Sequence, residues 1–323
     1  MLHRSSAISL LAAGVALALL LTAQEGGFVF HTDTRLVVLH ASVIDKKGSL
    51  ITDLRQDAFR VFEDGVQQQL KMFRREDVPV AMGLVIDSSG SMRDKRQKVE
   101  SAALQLVKAS NPQDQVFVVN FNDEAFLDAP FTNDVKKLEE GLSQIDSRGG
   151  TAMRDALSMS IEYMKDEAKI DKKVLVVVTD GNDNTSVISV EKLVQKAQQS
   201  EVLVYTIGLL SEEEKREAKR ARRALDALSE ASGGLAYYPK ELVEVEKISL
   251  QVAHEIRNQY ILAYSPVRQE LDGSYRQIRV TVDAPNRPIV RTRTGYYASA
   301  ETGRKTSPPK KAPKAATKTS AGR

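Results

Sequence analysis

The stretch VAMGLVIDSSGS, residues 80–91, decides the fold. Val80 to Ile86 is continuously apolar or small, without the alternation of a strand that shows one face to water. Such runs belong to strands buried on both faces. The run ends in Asp87, and Gly90 lets the chain turn between Ser89 and Ser91. KVLVVVT at 173–179 repeats the pattern and ends in Asp180-Gly181. Gln115–Phe121, Val202–Ile207 and the short Leu235–Tyr238 are further strand-like runs. Helical stretches separate them, at about 95–108, 134–144, 153–167, 190–199 and 211–232. Buried strands alternating with helices predict an α/β fold with a doubly wound, mostly parallel sheet flanked by helices, over residues 78–240.

On either side the pattern changes. Residues 34–77 read as short strands: Leu36–Val43, then Phe59–Glu63 and Gln67–Phe73 around an Asp64-Gly65 turn. Residues 257–298 return to strands at Gln259–Tyr264, Tyr275–Asp283 and Ile289–Arg293. Domain termini often lie together at the surface. The two segments are therefore expected to pair into one small β-rich domain from which the α/β unit projects. Residues 1–23 combine Arg4, the apolar run Ala7–Leu21 and a small residue at Ala23, the pattern of an export signal. Leu21 stands where a cleavage site prefers a small residue, and the run is near the shortest bilayer span, so an uncleaved N-terminal anchor is the alternative and the one contact with a membrane. Either reading puts the remainder in the periplasm, the cell envelope or the medium. Residues 300–323, rich in Lys, Pro, Ala and Thr, are expected to form a disordered basic tail.

Composition narrows the chemistry. The chain has 323 residues, 42% hydrophobic and 28% charged, enough to bury a core. It has no cysteine, which excludes disulfides, thiolate-ligated metals and a thiol nucleophile. Its four histidines lack metal-ligand spacing. The net charge of +3 comes from the tail: residues 301–323 hold seven Lys/Arg against one Glu, and residues 24–300 hold 38 against 42 Asp/Glu. Nothing here points to nucleic acid.

Asp87, Ser89 and Ser91 place a carboxylate and two hydroxyls on alternate residues after the first buried strand. Gly149-Gly150-Thr151 precedes a helix, and Thr179-Asp180-Gly181 ends the most strand-like run. In a doubly wound sheet, ligands bind beyond the carboxyl ends of the strands. The groups are hard oxygens, suited to Mg²⁺, Mn²⁺ or Ca²⁺. Taken singly, Ser89 and Ser91 read equally well as helix caps, Asp180-Gly181 as a turn and Asn182–Asn184 as a solvated turn. Residues 212–223 read as a solvated charged helix face.

In these motifs and their order, residues 78–240 resemble a von Willebrand factor type A (VWA) domain. The flanks, with Asp57-Ala58-Phe59, Glu63-Asp64-Gly65 and Gly295-Tyr296-Tyr297, are similar to exported bacterial proteins carrying such domains. The resemblance implies a metal-ion-dependent adhesion site of Asp87, Ser89, Ser91, Thr151 and Asp180. It also implies an open coordination position for an Asp or Glu of a partner protein, and no catalysis. Loops at Arg93–Asp94, Asn122–Glu124, Arg148 and Asn182–Asn184 would then set specificity. The alternatives are a structural envelope protein whose metal only stabilises the fold, and a metal-dependent hydrolase with Asp87 as nucleophile. No nucleophile elbow or phosphate loop supports the hydrolase. The oligomeric state is not legible.

Overall fold

The computed structural model describes residues 36–143, 147–181, 183–211 and 215–299. The expected signal or anchor at 1–23, the tail at 300–323, Asn182 and residues 212–214 lie outside the described residues.

The α/β unit is built on six strands: β5 (Val80–Asp87), β6 (Gln115–Phe121), β7 (Ala125–Thr132), β8 (Lys172–Thr179), β9 (Val202–Gly208) and β10 (Ala236–Tyr237). Their order across the sheet is β10-β9-β8-β5-β6-β7, parallel except for the β6–β7 pair. Every residue of β5 and β9 is buried, as the uninterrupted apolar runs predict. On one face Met82, Leu84, Ile86 and Val176 pack against α1 (Arg96–Ala109), α2 (Val135–Ser143) and α6 (Glu244–Arg257). On the other face Val85, Phe117, Leu175 and Val204 pack against α3 (Met153–Glu167), α4 (Val190–Ser200) and α5 (Lys215–Ser232). Gly83 sits at the centre, where an added Cβ would lie 2.3 Å from the Phe117 ring and 2.5 Å from Leu175.

Strands from both flanks join in two antiparallel sheets. One holds β13 (Ile289–Arg291), β1 (Val37–Ile44), β11 (Tyr260–Tyr264) and β4 (Leu70–Arg74). The other holds β14 (Gly295–Tyr297), β12 (Tyr275–Val282), β2 (Phe59–Glu63) and β3 (Val66–Gln68). Leu39, Ala41, Val61, Leu262 and Ile278 share the core between them. Glu63 is buried in it, its Oε2 accepting from Tyr264 Oη at 2.7 Å and Tyr296 Oη at 3.0 Å.

Three elements differ from the sequence-based expectation. The single strand expected at 67–73 breaks at Gln69: β3 stays in the hairpin with β2, and β4 crosses to pair with β11 in the other sheet. β7 was not expected, because Pro130 and the lack of alternation hide it. It is an edge strand whose register against β6 breaks between Ala129 and Thr132, where Pro130 needs no ladder partner. Helix α6 falls in the unassigned stretch before 257. It packs on α1 through Val245, Val252 and Ile256, a helical spacing present in the sequence.

α6 also joins the two parts. Buried Glu255 accepts from Ser42 Oγ of β1 at 2.9 Å, from Tyr205 Oη of β9 at 3.3 Å and from Tyr237 Oη of β10 at 3.1 Å. Lys172 is buried beside this junction and donates to Ile256 O at the end of α6. Among the described residues no helix is long and apolar enough to cross a membrane.

Two outcomes follow from this packing. Gly83→Ala should destabilise the chain by about 1–3 kcal/mol, read from urea unfolding, because neither the Phe117 ring nor Leu175 has room to give. Burial lowers the Lys172 ammonium from 10.5 to about 8, while the charges of Asp77, Asp114 and Glu255 pull it up. Its folded value is below its unfolded one, so the unfolded chain binds more protons between these limits and stability rises with pH there. The native chain should therefore gain on Lys172→Met as the pH goes from about 8 to 10.5. A difference constant across that window in paired urea titrations would refute this.

Candidate metal centre

The site forms where parallel strands end. β5 and β8 are neighbours with Ile86 opposite Val178, so the next residues, Asp87 and Thr179, meet. Thr179 Oγ1 donates to Asp87 Oδ2 at 2.6 Å, and Ser89 N donates to Asp87 Oδ1 at 2.8 Å. Ser88 turns the other way, its backbone N and its Oγ both donating to Phe121 O at the end of β6, at 2.7 and 2.8 Å. That contact separates the roles along 87–91: residue 88 anchors the loop and the alternate residues face the site. Ser89 Oγ and Ser91 Oγ are 3.2 Å apart. Ser89 is the N-cap of a short 3₁₀ turn, Gly90–Met92, without a side-chain cap bond. The N-cap of α1 is Lys95, also without one. The two serine hydroxyls are therefore not spent on capping, and that bland reading is set aside.

Hydrogen bonds between loops bring the other predicted residues in. Gly90 N donates to Gly149 O at 3.2 Å, and Arg148 N to Ser88 O at 3.0 Å. Thr151 N donates to Asn184 Oδ1 at 3.0 Å, and Asn184 N returns a bond to Thr151 O at 3.1 Å. Gly150 N donates to Asp123 Oδ1 at 2.8 Å, and Ala152 N to Asn122 O at 2.6 Å. Asn122, Asp123 and Asn184, expected at the specificity rim, thus brace the Thr151 loop. Asp183 is no solvated turn residue. Its carboxylate accepts from the Arg154 backbone N at 2.8 Å, pairs with Arg154 Nε at 3.1 Å and accepts from Ser186 Oγ at 2.8 Å. Arg93, also expected at the rim, reaches Ser147 O through Nη2 at 3.2 Å.

A cavity of about 400 Å³ opens above these loops. Ser89, Ser91, Thr151 and Asp180 line it, with Gly149, Gly150, Lys95, Asn184 and, from α5, Glu217. Asp87 is buried and not on the wall. Burial, and next the charge of Asp180, raise the Asp87 carboxyl to about 6, against the hydrogen bonds from Ser89 and Thr179. The folded value exceeds the unfolded one, so the ionised carboxylate costs stability at neutral pH, a cost that fades as pH falls from about 6 toward 3.8. Lys95 Nζ stands 3.0 Å from Asp180 Oδ2. Sequence reasoning singled out neither Lys95 nor the Thr179 hydroxyl. No local periodicity signals them, since their partners lie 85 and 92 positions away.

The donor set suits a small hard cation. The oxygens are carboxylate and hydroxyl, two carboxylates crowd each other, and an ammonium already stands at one of them. Among the described residues no group of three or more His, Cys, Asp or Glu side chains fits a metal, so an ion held here needs the hydroxyls.

A doubly wound sheet with an oxygen-lined cavity at the carboxyl ends of its strands is the layout in which α/β domains place their ligands. The family is set by comparison: the model of the von Willebrand factor type A domain matches residues 82–251, and the chain belongs to that family. Calcium-activated chloride channel regulator 1 of Mus musculus is 26% identical over 172 residues, 50% of this chain and 17% of that protein. Integrin alpha-11 of Homo sapiens is 33% identical over 106 residues, 30% of this chain and 9% of that protein. The similarity thus spans under a fifth of either relative's length. Among solved structures, a von Willebrand factor type A protein from Catenulispora acidiphila superposes with a TM-score of 0.48 at 12% identity, over 83% of this chain and 75% of that one.

Thr179→Val removes the hydroxyl that satisfies Asp87 Oδ2. A buried acceptor left without its donor should cost about 1–3 kcal/mol of stability in urea unfolding at neutral pH. Thr179→Ser, which keeps the donor, should recover most of it.

Proposed function

We propose that this chain is a non-enzymatic binding protein of the cell envelope. Its VWA domain holds a divalent cation of the Mg²⁺ type through Asp87, Ser89, Ser91, Thr151 and Asp180, and binds a partner protein that presents an Asp or Glu. The observation that carries the reading is convergence: three loops far apart in sequence meet at one cavity, and four of the five residues lie on its wall with the fifth directly behind. Domains of this family mediate protein interactions, and those of integrins commonly bind a divalent ion, which agrees with the donor set here. The bound ion would supply an electrophilic centre for a carboxylate oxygen.

The chain's own residues do the remaining work. Thr179 and the Ser89 amide favour the ionised form of Asp87 against its burial and fix its orientation. Ser89 and Ser91 contribute neutral oxygens, which leave a bound cation its electrophilic character. The braces from Asn184 and Asp123 keep the Thr151 loop in place before a partner arrives, so little ordering is left for the binding step. A catalytic reading is weaker, because the sequence offers it no nucleophile elbow and no phosphate loop. Action outside the cytoplasm rests on the sequence pattern of residues 1–23.

Saturating Mg²⁺ should raise the melting temperature by about 5 °C or more over EDTA, since a ligand bound only by the folded chain stabilises it. Asp87→Ala and Asp180→Ala should abolish that rise. Capture from an envelope extract in Mg²⁺, in EDTA, and with Asp87→Ala in Mg²⁺ then tests the adhesive role. Proteins retained only in the first sample support it. The same set in all three moves binding to another surface, and a melting rise without metal-dependent capture favours a metal that only stabilises the fold.

A further inference from the structure

We propose that Lys95 is a tethered counter-cation of the metal centre: its ammonium neutralises Asp180 when no metal is bound, and a divalent ion must displace it. The inference rests on the metal reading above and adds a residue that sets affinity. Its first support is contact. Lys95 Nζ is 3.0 Å from Asp180 Oδ2, the side chains being 30% and 9% exposed, and both residues line the cavity. Its second support is position. Lys95 is the N-cap of the 14-residue helix α1 and makes no side-chain cap bond. The helix dipole there repels a cation. A lysine held there against the dipole gains from a compensating anion, and Asp180 is that anion.

Charge counting gives the consequence. Asp87 and Asp180 bring two negative charges when ionised, and Lys95 brings one positive. Glu217 adds a third carboxyl from the α5 wall of the cavity. Without metal, Lys95 relieves part of the repulsion between Asp87 and Asp180. With a dication bound, the same ammonium becomes a like-charge neighbour. Lys95 therefore supports the metal-free fold and opposes metal binding.

Calorimetric titration with Mn²⁺, paired with melting curves in EDTA and in Mn²⁺, tests this on the native chain, Lys95→Met and Lys95→Gln. Both variants should bind Mn²⁺ about tenfold more tightly, the effect of removing one nearby like charge from a partly exposed site. Both should melt lower than the native chain in EDTA, and the gap between their EDTA and Mn²⁺ midpoints should widen. A purely structural lysine would lower both midpoints equally and leave the gap unchanged, which overturns the proposal, as does unchanged or weaker Mn²⁺ binding in both variants. Asp87→Ala separates the two levels. If the native chain binds Mn²⁺ and Asp87→Ala does not, the centre stands and the variants judge Lys95 alone. If neither binds, the metal reading fails and this inference falls with it.

Discussion

Two carboxylates held close together at the ends of adjacent parallel strands govern this molecule. Asp87 ends β5, and Asp180 follows β8. Neighbouring strands lie about 5 Å apart, so the sheet itself forces the two acids together. Burial and mutual repulsion make that arrangement unfavourable unless hydrogen-bond donors or cations offset it. The surrounding loops do so: the Ser89 amide and the Thr179 hydroxyl satisfy Asp87, and Lys95 meets Asp180. Crowded carboxylates that cost stability are a common feature of binding sites, and here the geometry makes the cost specific to two residues.

The braces explain how irregular loops hold such a centre. Asn184 exchanges hydrogen bonds with Thr151, Asp123 holds Gly150, and Gly90 reaches Gly149. Each bond runs from one loop to another, so the loops fix one another. Gly149 has a φ of +75°, and an added Cβ would meet Asp123 at 2.2 Å, so the close approach depends on glycine there.

The β-sandwich is part of the same construction. Its strands come from both sides of the α/β unit, and α6 ties the two through Glu255, Ser42, Tyr205 and Tyr237. A buried carboxylate shared by three hydroxyls is costly to expose. The junction therefore resists separation of sandwich and sheet.

How much of this was legible follows from the range of the signals. Unbroken apolar runs such as 80–86 and 173–179 report burial on both faces, and that local fact is enough to predict the parallel sheet. The order Asp87, Ser89, Ser91, Thr151, Asp180 is likewise written along the chain, because each residue sits at a strand end or loop that the pattern locates. The spacing of Val245, Ile248, Val252 and Ile256 also carries the signal for helix α6. Other features had no local signature. The crossing of β4 to the second sheet, the edge strand β7, the Thr179 hydroxyl on Asp87, the ammonium of Lys95 on Asp180 and the buried Glu255 junction all join residues far apart in the chain. Local propensity and periodicity describe a residue and its near neighbours, so the sequence determined which elements form and which oxygens stand at their ends. Only packing of the whole chain decided which charge meets which, because Coulomb and hydrogen-bond energies depend on distances that tertiary structure alone sets.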